Sequence, residues 1–335
     1  ETVRKLSEKL NRRVYLFPES DLNDTRIVRA RELGGFGLDA QWCDDFHHSL
    51  RTLLAPERTG YYQDFGRSSQ LAKSFREGYV YSGQYSRYRR RRHGNNSREI
   101  PAERFIVFGQ NHDQVGNRML GERLSELVPF DALKLAAATV LLSPFLPLLF
   151  MGEEYGETAR FPYFISHQDA ALVEAVRQGR REEFSEFEWR GEPPDPQSEE
   201  TFASAKLNHQ LKEKGNHKIL LNFYKELIRL RKSNSALALL SKKTMAIRAF
   251  EAEKLIVVRR WNGDEEIACF LHFNESEDSV SVLLPEGEWR KVLDANDKKW
   301  GGPGSSLPEQ IGARGRILLK FAPFTAALYS KLPEM

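Results

Sequence analysis

Glu19 and Asp113 are the residues with which this sequence could do chemistry. Glu19 closes the apolar run "RRVYLFPE", and Asp113 follows another in "RFIVFGQNHDQVGNR". Short apolar runs bounded by polar clusters predict buried strands, so both acids stand at predicted strand ends. In a parallel barrel the C-terminal strand ends converge on one face, where catalytic groups collect. Two carboxylates on such a face suit glycosidic chemistry: one protonates the departing oxygen while the other acts on the cationic transition state. Each acid has a plainer reading alone. Glu19 could serve the turn before "SDLND", and His112 with Asp113 could be a satisfied loop pair. Their occurrence together, at equivalent strand ends, favours chemistry.

A second cluster lies at Trp42, Asp44, Asp45, Phe46, His47 and His48. Trp and Phe can stack on sugar faces, while Asp and His can bond hydroxyls. Asp45, His47 and His48 are also metal-ligand types, but adjacent histidines in a strand or turn point apart. No metal and no cofactor is therefore expected. Four consecutive arginines, Arg89–Arg92, lie among tyrosines in "YSRYRRRRHGNN". A formal charge of only +3 over 335 residues favours a solvated loop over a nucleic-acid site.

The elements that must position these groups alternate between helix and strand in the first part of the chain. Residues 2–11 predict a helix, "RRVYLF" a strand, "FGLDAQW" a second, "RFIVFG" a third, residues 120–142 a helix and "PLLFMG" a fourth strand. "HKILLNFYKELIRLRK" places Leu220, Phe223, Tyr224, Leu227 and Leu230 at helical spacing. Alternation of this kind predicts a parallel sheet with helical crossovers. Residues 190–215, polar and Pro-rich, read as a loop. From about residue 243, short strands separated by Gly, Asn, Asp and Pro predict an antiparallel β-sandwich. The expected division is 1–241 and 242–335.

Composition sets further bounds. With 40% hydrophobic and 29% charged residues, the chain reads as a soluble globular protein. The uncharged run Leu135–Met151 is interrupted by Pro144 and Pro147 and is short for a membrane span, so it predicts a buried helix running into a strand. Cys43 and Cys269 fall in different predicted domains, which favours a reducing cytoplasm over a disulfide framework. The first residues carry charge throughout and lack the apolar stretch of a signal peptide.

The segments "ESDLND", "GLDAQWCDDFHHSL", "GYYQDFG", "FGQNHDQVGNR" and "LPLLFMGEEYGE" resemble the malto-oligosyltrehalose trehalohydrolases, a family of the glycoside hydrolase family 13 (α-amylase) superfamily. The likeness runs from about residue 10 to 170 and more weakly beyond. "NHDQVGNR" with "FMGEEYGE" is specific to the superfamily, and "DAQWCDDFHH" points to the trehalohydrolases, with glycogen branching enzymes next.

The resemblance implies an α/β fold: the second half of a (β/α)8 TIM barrel, strands five to eight, followed by the antiparallel β-domain. It makes Glu19 the general acid/base and Asp113 the third carboxylate, which helps bind the distorted sugar. It assigns Asn111, His112, Trp42, Asp44, Asp45, Phe46, His47, His48, Glu154 and Tyr155 to the substrate, a maltooligosyl trehalose or related α-glucan, with no nucleic-acid or membrane partner. The family's nucleophile is an Asp preceding the general acid in a Gly-Phe-Arg-x-Asp-Ala pattern. "GFGLDA", with Asp39, follows Glu19 and has Gly37 in place of Arg, so it is rejected. The expectation is a chain without its nucleophile, needing an N-terminal half and inactive alone. A branching-enzyme fragment or a non-catalytic glucan-binding remnant are the alternatives.

Overall fold

The computed structural model describes residues 2–186 and 192–333. In chain order, helix α1 spans Thr2–Lys9, strand β1 Gln41–Trp42, α2 Asp44–Leu54, α3 Ser68–Glu77, β2 Ser82–Ser86, β3 Arg91–Gly94, β4 Phe105–Val107, α4 His112–Gly116, α5 Leu124–Leu127, α6 Phe130–Leu141 and β5 Leu146–Pro147. Then come α7 Ala170–Glu186, α8 Glu199–Ser204, α9 Gly215–Ser233 and α10 Ser235–Ala238. Six strands close the chain: β6 Met245–Phe250, β7 Leu255–Asn262, β8 Glu265–His272, β9 Asp278–Asp294, β10 Gln310–Phe321 and β11 Ala326–Lys331.

β1, β4 and β5 form a parallel sheet in that order, with Gln41 opposite Phe105 and Ile106 opposite Leu146. Parallel strands require crossovers, and α2, α3 and α6 provide them. Phe46, Leu50, Leu71, Phe75, Leu135 and Phe145 bury this side of the sheet in one core. α9 packs against it through the predicted stripe, since Leu220, Phe223, Tyr224, Leu227 and Leu230 are all buried.

Three expectations change. "RRVYLF" is not a strand: it runs extended beside β1, donated to by the backbone N–H of Asp39 at the Leu16 carbonyl and of Trp42 at the Pro18 carbonyl, without a full ladder. The helix expected over 120–142 is split into α5 and α6 at Pro129, whose ring suits the start of a helix and not its interior. Within the expected loop, residues 190 and 191 lie outside the described residues, but α8 forms where the Ser198 hydroxyl accepts from the Glu200 N–H at 3.2 Å.

The expected sandwich is one six-stranded antiparallel sheet, ordered β10-β9-β11-β8-β7-β6. β9 is 17 residues long. It pairs with β10 along its length as far as Arg290 and with β11 from Trp289 onward, with register shifts in both pairings, so the sheet curls instead of splitting in two. β7 explains the uninterrupted "LIVV": Leu255 and Val257 enter the core of the curled sheet, while Ile256 and Val258 enter the core shared with the helices.

Buried cations tie the two parts together. The Arg260 guanidinium donates to the carbonyls of Leu142, Ser143, Leu237 and Leu239. Lys134 donates to the carbonyls of Ala295 at 2.6 Å and Trp300 at 3.0 Å. The Glu251 carboxylate accepts the backbone N–H groups of Ser68 and Ser69 at the start of α3.

Candidate functional site

The site lies where three chain segments leave the sheet. β4 ends at Val107, and Phe108–Gln110 lead to Asn111, which caps α4. The Asn111 side chain accepts from the N–H groups of Asp113 and Gln114, while Gln114 Oε1 accepts the Asn111 N–H at 3.0 Å. This reciprocal cap turns the chain sharply, so His112 and Asp113 project into solvent at the sheet's end. β1 ends at Trp42, and Asp44 opens α2 beside it. The segment alongside β1 brings up Glu19, directly after the carbonyl of Pro18 that accepts from Trp42.

Glu19 Oε1 lies 3.7 Å from His112 Nε2, and both side chains are about half exposed. The His112 ring meets Trp42 edge to face at 5.9 Å, and Trp42 rests on Phe108 at 5.8 Å. Asp113 Oδ1 accepts from Asn117 Nδ2 at 2.6 Å, and Asp44 Oδ1 accepts from Gln114 Nε2 at 3.2 Å. The Asp44 carboxyl is pushed up to about 7, first by burial and then by Asp45, Asp21, Asp113 and Glu19. Four carboxylates besides its own thus act on this half-buried group. An open ring of acids around an aromatic and an imidazole can bind a polyhydroxylated ligand and move a proton at it.

The structure therefore brings Glu19, Trp42, Asp44, His112 and Asp113 together. It corrects the expectation of sugar contact for Asp45, Phe46 and His47. "DDFHHSLRTLL" forms a helix buried on nearly all sides, not a strand or turn. Asp45 Oδ2 accepts from Asn23 Nδ2 at 2.8 Å and from the N–H groups of Val80 and Tyr81 at 2.7 and 2.8 Å. Burial raises Asp45 to about 6, against the lowering effect of those bonds. Phe46 packs on Phe75 and Phe145 inside the core. His47 is spent on the Gly109 carbonyl through Nδ1 (2.8 Å) and on the Tyr62 hydroxyl through Nε2 (2.9 Å), and burial lowers it to about 3. His48 stacks on Tyr61 at 4.9 Å, and burial carries it well below its usual value. Asn111 spends its side-chain oxygen on the cap and is itself buried.

The expectation for Tyr155 is corrected too. It is fully buried, and its hydroxyl donates to Glu157 at 2.7 Å. Its neighbour Glu154 is half-buried in the turn Glu153–Tyr155. Glu153 sits under that turn, pushed up to about 8 by burial, and lines a small cavity with Gly109 and Gln110 behind the β4 exit. Asp39 accepts the Leu16 N–H at 2.7 Å, which ties it to the extended segment and not to Glu19.

Gln114, Asp21 and Tyr62 escape the sequence reading. Only the S/T/D/N-x-x-E/Q cap pattern at Asn111 signals Gln114. Arg89, the first of the four arginines, pairs with Asp21 at 2.5 Å and so faces the acids of the site, while Arg90, Arg91 and Arg92 are exposed. Among the described residues no group of three or more His, Cys, Asp or Glu is placed to hold a metal ion, and no helix is long and apolar enough to cross a membrane.

No family model matches the chain. It is 42% identical over 272 residues to the malto-oligosyltrehalose trehalohydrolase of Mycobacterium tuberculosis, covering 80% of this chain and 47% of that protein. It is 46% identical over 214 residues to the malto-oligosyltrehalose trehalohydrolase of Saccharolobus solfataricus, covering 64% of this chain and 36% of that one. The chain thus spans less than half the length of these relatives. A crystal structure from Salmonella typhimurium, of a provisionally named α-amylase, superimposes with a TM-score of 0.78 at 29% identity, over 98% of this chain and 54% of that one. The α-amylase of H. orenii shares the fold, with a TM-score of 0.57 at 15% identity.

Proposed function

Starting from a chain that resembles the malto-oligosyltrehalose trehalohydrolases of glycoside hydrolase family 13, we propose that it carries part of a retaining glycosidase site. The reaction is hydrolysis of the α-1,4 bond next to the terminal trehalose of a maltooligosyl trehalose, releasing trehalose. We read the extended segment at residues 14–18 as occupying the place of strand five, and β1, β4 and β5 as strands six to eight, of a (β/α)8 barrel, with residues 1–241 as its partial catalytic domain and residues 242–335 as the accessory β-domain.

Glu19 protonates the departing glycosidic oxygen and then, as carboxylate, takes a proton from the attacking water. His112, in contact with Glu19, bonds a hydroxyl of the reacting sugar. Asp113 bonds the same ring as it flattens and gains positive charge. Trp42 offers a stacking face, Asp44 and Glu154 stand at the margins of the binding surface, and His48, buried against Tyr61, holds that ring from behind. Asp45, His47, Phe46, Asn111 and Tyr155 act on the substrate only by holding these groups. The nucleophile comes from outside this chain. Two buried free cysteines fit the cytoplasm.

The observation that carries the reading is the Glu19–His112 contact beside Trp42 and Asp44, in a chain so similar to named trehalohydrolases. The test is trehalose release from maltotriosyl trehalose. The chain alone should release none. Together with the part of the Mycobacterium tuberculosis relative that it does not match, it should release trehalose, and Glu19→Gln should remove about three or more orders of magnitude of that rate. Full activity of Glu19→Gln would remove the acid/base assignment. A non-catalytic glucan-binding remnant, by contrast, would bind glucan and show no turnover in either preparation.

A further inference from the structure

We infer that Arg180, on helix α7, is a positioning residue for Asp113: through the side-chain amide of Asn117 it fixes the Asp113 carboxylate with one oxygen held and the other left to a ligand. That the ligand is a sugar rests on the reading above; the hydrogen-bonded chain does not.

Asp113 stands on a helix too short to hold it. α4 has five residues, and a helix of about one turn gains little from its own backbone bonds. Its start is fixed by the reciprocal cap of Asn111 and Gln114. Its end is fixed from a distant part of the chain. Arg180 Nη2 donates to the Gly116 carbonyl at 3.0 Å, and Nη1 donates to Asn117 Oδ1 at 3.2 Å. A cation at the last carbonyls of a helix satisfies acceptors that the helix leaves open. Asn117 then reaches back one turn. Its backbone N–H donates to the Asp113 carbonyl at 2.9 Å, and its Nδ2 donates to Asp113 Oδ1 at 2.6 Å.

The amide between the two charges can point only one way. A guanidinium only donates, and a carboxylate only accepts. With Oδ1 towards Arg180 and Nδ2 towards Asp113, both bonds form, and a charge strengthens each. Turned over, the amide would set its NH2 against the guanidinium and its oxygen against the carboxylate, and lose both bonds. Arg180 therefore selects the orientation that Asp113 needs. A direct ion pair would act differently: Arg and a carboxylate join through two parallel bonds, which occupy both oxygens. The interposed amide takes Oδ1, and Oδ2 makes no hydrogen bond among the described residues.

Arg180 is in turn placed by its surroundings. Among the described side chains of α7 only Val173 is buried, so no broad apolar face seats this helix. Polar ties do. Asp169 Oδ1 accepts the N–H groups of Ala171 and Leu172 at the start of α7, and Arg177 pairs with Asp195 at 2.9 and 2.7 Å. The Arg180 guanidinium lies over the Tyr163 ring at 4.8 Å, which fixes its plane. Arg180 is 63 positions from Asn117, so no motif around Asp113 contains it.

The test is NMR of the full chain, observing the Asn117 side-chain amide, which is identified by its loss in Asn117→Ala. One of its protons should resonate downfield and exchange slowly, and Asp113→Asn should remove both properties. Arg180→Met should do the same, with exchange about tenfold faster than in wild type. Arg180→Lys, which keeps a donating cation, should retain most of the signature. The backbone amides of Asp113 and Gln114, bonded to the Asn111 cap, should keep their wild-type exchange in all of these Arg180 variants, because α4 itself remains formed. An unchanged Asn117 signal in Arg180→Met overturns the inference. So does loss of the cap's protection in Arg180→Lys, which would make Arg180 a support of the helix and not of the carboxylate. Where Arg180→Met does not fold, Arg180→Gln decides: a neutral amide imposes no orientation on its neighbour, so a full wild-type signature there ends the proposal. Trehalose release in the combined preparation is scored separately. Arg180→Met should lower kcat about tenfold with KM little changed, since Asp113 acts on the flattened sugar. A lost signature with an unchanged rate supports the hold of Arg180 on Asp113 and sinks only the reading of Asp113 as a sugar-binding acid.

Discussion

Burial, with the carboxylates of Asp45, Asp21, Asp113 and Glu19 nearby, holds Asp44 near neutrality, at about 7. In the unfolded chain it ionises near 3.8, so the folded protein retains its proton over the interval between. Stability due to this group is complete below about pH 4 and is lost as pH rises through about 7. Asp44→Asn should flatten that part of the profile. The expected difference between wild type and variant is on the order of 2 kcal/mol across the interval, read from urea midpoints at about pH 4.5 and 7.5. An unchanged slope would mean that Asp44 is ionised throughout. At the same scale, Glu19, His112 and Asp113 are readable as candidates because strand ends announce themselves: an apolar run stops at a polar cluster. Asp45, Phe46 and His47 are not, because Asp, His and Phe are also sugar-binding residue types, and only the helix decides which way each faces.

α2 shows why the element level is harder to read. Its sequence has polar residues at many positions, yet Asp45 through Leu54 are all buried. Asp45 is satisfied internally, by Asn23, Val80 and Tyr81. That makes Asp45 a clamp between α2 and the chain after α3, and so a positioning residue for Asp44 one step away. Asp45→Ala would strand three donors and should cost about 3 kcal/mol or more in chemical denaturation, with exchange at Val80 and Tyr81 rising first. A loss below ~1 kcal/mol would show that water replaces the carboxylate. Helix α9 is legible in full because its stripe is simple, five apolar residues facing one core. "RRVYLF" is legible as a strand sequence but not as a strand, since its only backbone bonds to the neighbouring segment are at the Leu16 and Pro18 carbonyls, and the Leu16 N–H goes to the Asp39 side chain instead.

At the scale of the molecule, the parallel and antiparallel parts are legible from the change in pattern near residue 243, and the curl is not, because it depends on β9 continuing past Pro285. Nor is the depth of their union. Leu237, Ile256, Leu271 and Phe324 share one core with Leu135 and Phe145. Arg260, lowered to about 9 by burial, reaches from β7 to four carbonyls of the helical part. Arg260→Met should cost about 3 kcal/mol and leave a single cooperative thermal transition. Two separated transitions would show that the parts unfold independently.

Arg260 also bears on how this protein can be taken apart. A cut at residue 241 looks natural on a sequence map, yet it runs through the carbonyl cage that the guanidinium fills. Neither product would be a clean module: one would keep an unpaired cation on an exposed apolar sheet, and the other a ring of vacated acceptors. Chimaeras that exchange the β-domain should therefore carry α10 with Leu239, and the loop after α6, along with it.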